Sequence, residues 1–99
     1  IWLTLKGYRI LDRRFKSPLG EVDLIAKRGH SLVFVEVKYR STLDLALEAV
    51  SPHQQRRIIG GAKYFLKRFP ITPRTEVRFD VICLYGFKLK HLKAAWRES

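Results

Sequence analysis

Residues 20–40 admit few folds. Within them, Glu21 to Ala26 and Leu32 to Lys38 alternate with period two, are rich in Val, Ile, Leu and Phe, and flank a tight polar stretch containing Gly29. That is the pattern of an antiparallel hairpin. Because a strand sends alternate side chains to opposite faces, Val22, Leu24 and Ala26 share one face with Val33, Val35 and Val37. This face is wholly apolar and has to meet a core. The other face carries Glu21, Asp23 and Ile25, then Leu32, Phe34, Glu36 and Lys38, so it is apolar near the turn and ionisable at the far end. With Arg28 and Gly29 as the turn, Glu21 falls opposite Glu36, while Asp23 falls opposite Phe34 and diagonal to Glu36. Opposed side chains have Cβ atoms about 4.5–5.5 Å apart and diagonal ones about 7–8 Å. Those separations suit two or three carboxylates converging on one ion.

Like charges brought together cost stability unless a cation or a proton neutralises them. Lys38, two residues beyond Glu36 on the same face, balances part of the charge. A hard divalent cation such as Mg²⁺ takes oxygen ligands, often from one or two carboxylates plus water and substrate phosphate. Asp23, Glu36 and the carbonyl of Val37 are the candidate donors. An isolated Glu-x-Lys on a strand is more often a solvated polar face with a weak ion pair. Here Ile25, Leu32 and Phe34 ask for the same face to be covered, and acids beside a covered surface need a reason.

These residues resemble a known signature. Gly20-Glu21-Val22-Asp23-Leu24-Ile25-Ala26, the twelve residues between Asp23 and Glu36, and Val35-Glu36-Val37-Lys38 look like the PD-(D/E)XK motif of the restriction-endonuclease-like superfamily. The stretch from Gly7-Tyr8-Arg9-Ile10-Leu11 through Lys38-Tyr39-Arg40-Ser41 to Glu48-Ala49-Val50 is similar to the YraN-like family of uncharacterised bacterial proteins. Gln55-Arg56-Arg57, Arg78-Phe79-Asp80-Val81 and His91-Leu92 extend that likeness over nearly the whole chain.

The resemblance implies an α/β fold, a restriction-endonuclease-like mixed central β-sheet flanked by helices, related to archaeal Holliday junction resolvases and the tRNA-endonuclease-like fold. It implies an endonuclease dependent on Mg²⁺ or Mn²⁺, in which Asp23, Glu36 and the Val37 carbonyl hold the metal. The metal activates a water and stabilises charge on the scissile phosphate, and Lys38 orients that water or offsets charge in the transition state. Glu21 and Gln54 are additional candidates; an acid at the mouth of a strand and a Gln on a helix surface are as often simply solvated. The sequence departs from the family in two places. Members begin with a helix carrying a Glu, whereas this chain starts at Ile1, and Arg14 stands where Asn is expected.

Ninety-nine residues with 46% hydrophobic content are expected to make a single endonuclease-like domain over 1–99. Twenty Lys and Arg against nine Asp and Glu give a formal charge of +11, the footprint of a nucleic-acid partner and less often of an anionic membrane. Arg13, Arg14, Arg40, Arg57 and Lys63 are the candidate nucleic-acid contacts, with DNA ahead of RNA as partner. Junction cleavage calls for a homodimer. The apolar runs are too short to span a bilayer and no signal peptide is visible, which leads us to expect a cytoplasmic protein. The chain lacks an initiator Met and opens in mid-pattern, so upstream residues, including most of a first helix, are expected. A non-catalytic nucleic-acid-binding module that keeps the nuclease fold is the alternative from a different functional class.

A single cysteine, Cys83, excludes an internal disulfide, and the scattered His30, His53 and His91 show no zinc-ligand spacing. Within the apolar run Val81 to Leu84, Cys83 reads as a buried structural thiol.

In chain order, residues 1–6 read as a helix remnant with Leu3 on its apolar side, ended by Gly7. Tyr8 to Lys16 reads as a strand, and Ser17-Pro18-Leu19-Gly20 as a turn. Residues 41–50 are expected to be a loop with one helical turn at most. Ser51-Pro52-His53-Gln54 starts a helix, with Ser as N-cap, Pro first and Gln at the capping-box position. It runs to about Arg68 with Ile58, Ile59, Ala62, Phe65, Leu66 and Phe69 as its core stripe. Glu76 to Leu84 follows as a strand, with Asp80 a structural acid or a supporting group behind the site, and Phe87 to Leu92 as a short edge strand.

Overall fold

In the computed structural model, residues 2–97 are described; Ile1, Glu98 and Ser99, the ends of the expected domain, lie outside the described residues. The elements are α1 (Trp2–Leu5), β1 (Arg9–Ser17), β2 (Gly20–Arg28), β3 (Ser31–Arg40), α2 (Leu43–Glu48), α3 (Pro52–Arg68), β4 (Glu76–Tyr85) and β5 (Lys88–Trp96). The strands form one mixed sheet in the order β1-β2-β3-β4-β5. The β3–β4 pair is parallel and the others are antiparallel. The fold is α/β, a five-stranded mixed sheet flanked by helices, compatible with a restriction-endonuclease-like architecture. No described helix is long and apolar enough to cross a membrane.

Helix α3 forms where the capping signal places it. Ser51 Oγ accepts the Gln54 N–H at 3.2 Å, and Pro52 occupies the first turn, where its missing N–H costs nothing. Ile58, Ala62 and Phe65 recur on one face and pack on Val22, Ile25, Leu32, Phe34 and Phe79. Phe34 meets Phe65 edge-on at 5.9 Å and stacks on Phe79 at 5.8 Å. Each such buried side chain contributes about 2 kcal/mol relative to exposure. Phe69, expected in the stripe, is instead exposed beyond the end of the helix.

Close backbone approach locks α3 onto the β1–β2 turn. A Cβ on Gly20 would lie 1.8 Å from the Arg57 carbonyl oxygen, and one on Gly60 2.1 Å from that of Leu19. The opposite sheet face buries Leu3, Tyr8, Ala26, Val33, Val35 and Ile82.

The hairpin is present, but its register differs from the expected one. Arg28 pairs with Ser31, so the turn is Gly29-His30 and every partner shifts by two residues. Gly29 takes φ +59, which a glycine accommodates without cost. Strict alternation also fails at one point. Val22 packs with Ile25 beneath α3, whereas Leu24 and Ala26 point to the other face. The break lies at Asp23, where the β2–β3 ladder ends with Leu24–Val35.

Residues 43–48 form a helix rather than a loop. Thr42 Oγ1 caps it by accepting the Leu45 N–H at 3.2 Å. Ala46 and Val50 are buried on Val81 and Cys83, while Leu45 and Leu47 face outward. Strand β5 runs on to Trp96 through a register shift opposite Asp80, longer than the edge strand expected.

Candidate functional site

The register found for the hairpin brings the two motif acids together. Continuing the Leu24–Val35 pairing by one step places Asp23 opposite Glu36. At that step Asp23 Oδ2 accepts the Val37 N–H at 2.9 Å, so a side chain replaces the backbone carbonyl that would have continued the ladder. Glu21, which the expected register set against Glu36, pairs instead with Lys16 on the far strand and is exposed.

Glu36 is 3% exposed. Its Oε2 accepts the Gln54 side-chain amide at 2.9 Å and lies 3.5 Å from Lys38 Nζ. Burial, then a hydrogen bond with the Asp23 carboxyl, pushes the Glu36 carboxyl up to about 7, against the opposing pull of Gln54 and Lys38. A buried carboxyl beside a second acid holds its proton to higher pH than a solvated one.

Backbone geometry delivers Gln54 to this place. The close approach at Gly20 and Gly60 holds α3 low over β2, which points its first turn at Glu36. Gly60 and Gly61, adjacent glycines in a helix interior, were the sequence signal for this approach and had no role in the sequence reading.

On the edge strand, Arg14 lies between the pairs Arg13–Leu24 and Phe15–Val22, across from Asp23. It has φ +51, a left-handed conformation that Asn tolerates better than Arg. The Asn expected there from the family pattern thus has a backbone reason. Arg14, Lys16, Glu21 and Asp23 line a cleft of about 290 Å³. The other proposed contacts are dispersed. Arg13 is exposed on β1, Arg57 is half-buried on α3, Lys63 lies farther along that helix, and Arg40 is exposed at the end of β3.

Asp80 belongs to a separate constellation on the opposite sheet face. Fully buried, it takes two hydrogen bonds from the Arg78 guanidinium, both at 2.9 Å, contacts His91 Nε2 at 2.7 Å and accepts the Ala94 N–H at 2.9 Å. Arg78 also donates to the Tyr8 hydroxyl at 2.6 Å. Burial alone would raise the Asp80 carboxyl, but His91, Arg78 and the Ala94 N–H together hold it below its ordinary value. With every partner internal, Asp80 is a structural acid that closes the bulge in β5. The signal was an Asp inside the apolar run Val77 to Leu84; its partners are too distant in sequence to have been read. Cys83 is buried beside Val81, Ala46 and Val50, as expected of a structural thiol.

Among the described residues, no three His, Cys, Asp or Glu side chains gather as a metal-holding group. The donor set at the site is the Asp23–Glu36 pair, with the Val37 carbonyl as the third expected donor.

The profile of the uncharacterised protein family UPF0102 matches residues 1–84. A UPF0102 protein of Parvibaculum lavamentivorans is 46% identical over 96 residues, covering 96% of this chain and 72% of its own length. One from Rhodopseudomonas palustris (strain HaA2) is 48% identical over 99 residues, covering 99% of this chain and 77% of its own. One from Chelativorans is 54% identical over 82 residues, 83% of this chain and 66% of its own.

Proposed function

From the premise that this chain belongs to the uncharacterised protein family UPF0102, we propose that it is a metal-dependent nuclease hydrolysing phosphodiester bonds in nucleic acid. The observation that carries the reading is the placement of half-buried Asp23 opposite buried Glu36, flanked by Lys38 and Gln54.

The donor chemistry fits a hard divalent cation. Mg²⁺ is commonly held by one or two carboxylates with water and phosphate completing its shell, and Asp23 and Glu36 stand opposite one another on adjacent strands. Bound there, Mg²⁺ or Mn²⁺ would supply Lewis acidity toward a phosphoryl oxygen. The chain's own residues do the rest. Asp23 holds the Val37 backbone in place through its N–H. Gln54 orients Glu36, and Lys38 brings a positive charge to the same oxygen. The formal charge of +11 draws polyanions to the surface. The reading carries with it a DNA partner ahead of RNA, a cytoplasmic location and, for a four-way junction, a homodimer.

The test is incubation of the protein with linear, flapped and four-way DNA and with structured RNA, in Mg²⁺, Mn²⁺ or EDTA. Scission is expected with metal only, and Asp23→Asn should abolish both scission and the metal-induced rise in thermal stability. Undiminished cleavage by Asp23→Asn contradicts the reading. A second reading, a binding module without turnover, draws support from the donor set of only two acids among the described residues. Salt-sensitive binding unaffected by EDTA, without scission of any substrate, favours it.

A further inference from the structure

Beyond the acids, β3 continues to an end that carries two large rings in water. Tyr39 is 68% exposed and Phe87, in the β4–β5 turn, is fully exposed. Neither packs against another ring among the described residues. The turn does not require a phenylalanine. Tyr85 pairs with Lys88, so Gly86-Phe87 is a two-residue turn, and the positive φ of +59 falls on Gly86. Such a turn leaves its second position open to most residues. A phenylalanine at the most exposed point of the sheet is thus unexplained by folding.

The surroundings are cationic. Tyr39, Arg40, Leu84, Phe87, Lys88 and Leu89 line a shallow cleft of about 550 Å³ that contains no acid. Between this cleft and the site, Lys38 and Lys90 both register with Cys83, two residues beyond the Glu36–Val81 pair. Glu36 and Tyr39 are three residues apart on one strand, about 10 Å at roughly 3.3 Å per residue, and alternation sends their side chains to opposite faces, so a bound strand passes from one to the other around the end of the sheet. Arg40 and Lys88, both registered with Tyr85 at the end of the sheet, therefore flank the pair of exposed rings. Duplex DNA keeps its base faces stacked inside, whereas unpaired bases offer those faces to aromatic side chains while their phosphates meet Lys and Arg.

We propose that Tyr39 and Phe87, flanked by Arg40 and Lys88, form a stacking platform for unpaired nucleotides, so that the substrate is nucleic acid with a single-stranded segment, such as a flap or an opened branch, rather than continuous duplex. This rests on the nucleic-acid reading above and names its substrate class. Because both rings are exposed, their removal leaves the fold intact.

The experiment measures fluorescence anisotropy of a labelled oligothymidylate strand, an abasic strand of equal length and a duplex, each in EDTA. Parent protein is compared with Tyr39→Ala/Phe87→Ala and with Tyr39→Phe. The double variant should bind the base-bearing strand about 10- to 100-fold more weakly, bind duplex within about twofold of the parent, and lose nothing further on the abasic strand. Tyr39→Phe, which keeps the ring, should bind as the parent does. Equal strand affinity in parent and double variant overturns the platform while leaving the nuclease reading standing. Absence of binding to any nucleic acid overturns both. A parent dimer that the double variant converts to monomer, with strand affinity unchanged, assigns the rings to a second copy of the chain and overturns the proposal.

Discussion

Gln54 gives its side-chain amide to Glu36 at 2.9 Å, although it stands three residues after an N-cap serine, where a capping box would turn it back on the helix. Half of the box is kept, since Ser51 Oγ accepts the Gln54 N–H. The other half is diverted to the buried acid. The diversion costs α3 one reciprocal bond and leaves Glu36 with a neutral donor beside the charged Lys38.

The raised proton affinity of Glu36 makes stability depend on pH. Its folded value of about 7 lies above the ordinary 4.5, so the folded state binds more protons than the unfolded state between these values. The contribution is nil below about pH 4.5, and stability falls as pH rises toward about 7. At roughly 1.4 kcal/mol per unit the loss is about 3 kcal/mol. Glu36→Gln should match the parent near pH 4 and exceed its stability near pH 8 by about that amount, as read by urea melts across the range. Gln54→Ala removes a bond that lowers the Glu36 value, so it should move the Glu36 titration upward in carboxyl NMR and cost about 1 kcal/mol.

If a divalent cation occupies the site, it competes with the proton on Glu36. The rise in melting temperature produced by Mg²⁺ should therefore grow between about pH 6 and pH 8 and vanish in Glu36→Gln. A cation-induced shift that is flat across this range would place the ion elsewhere.

Gly20→Ala should be severely destabilising because its Cβ would fall 1.8 Å from the Arg57 carbonyl oxygen, a backbone atom that cannot yield without moving α3. We expect a loss of about 3 kcal/mol together with loss of the Gln54–Glu36 bond, seen as a change in the Glu36 titration. Gly86→Ala is the control. Nothing lies within 4 Å there, so only the left-handed conformation is penalised, at about 1 kcal/mol.

Asp80→Asn removes the charge that Arg78 pairs with in a buried setting, and should cost about 3–5 kcal/mol by thermal or denaturant unfolding. The sign with pH is opposite to that of Glu36. A folded value held below the ordinary 3.8 contributes stability that is complete above about pH 4 and is lost as pH falls through the folded value. The parent should therefore lose its advantage over Asp80→Asn only in strong acid.

Arg14→Asn should stabilise the protein by up to about 1 kcal/mol, since Asn adopts the φ of +51 more readily. If Arg14 also meets substrate phosphate beside Asp23, nucleic-acid affinity should fall in the same variant and the salt slope should shrink by about one. Stability and affinity moving in opposite directions would mark a backbone held in strain for binding.

The acids, their strand and the helix that covers them could be read from local chemistry. Alternation in Leu32 to Lys38 sets a strand with Glu36 and Lys38 on one face, and Ser51-Pro52 sets the start of α3, because both signals act within a few residues. Register could not be read in that way. Arg28-Gly29 and Gly29-His30 both place the glycine in the turn, and only the whole sheet selects the second, which changes the partner of Glu36 from Glu21 to Asp23. The face of Val22, the helix at 43–48 and the service of Gln54 to Glu36 were likewise decided by tertiary contact. So was the Asp80 network, whose partner Tyr8 lies 70 residues from Arg78. A short-range pattern carries the conformational preference of the chain, but burial of a charged group is settled by what distant segments bring to it, and the chemistry of Glu36 follows from that burial.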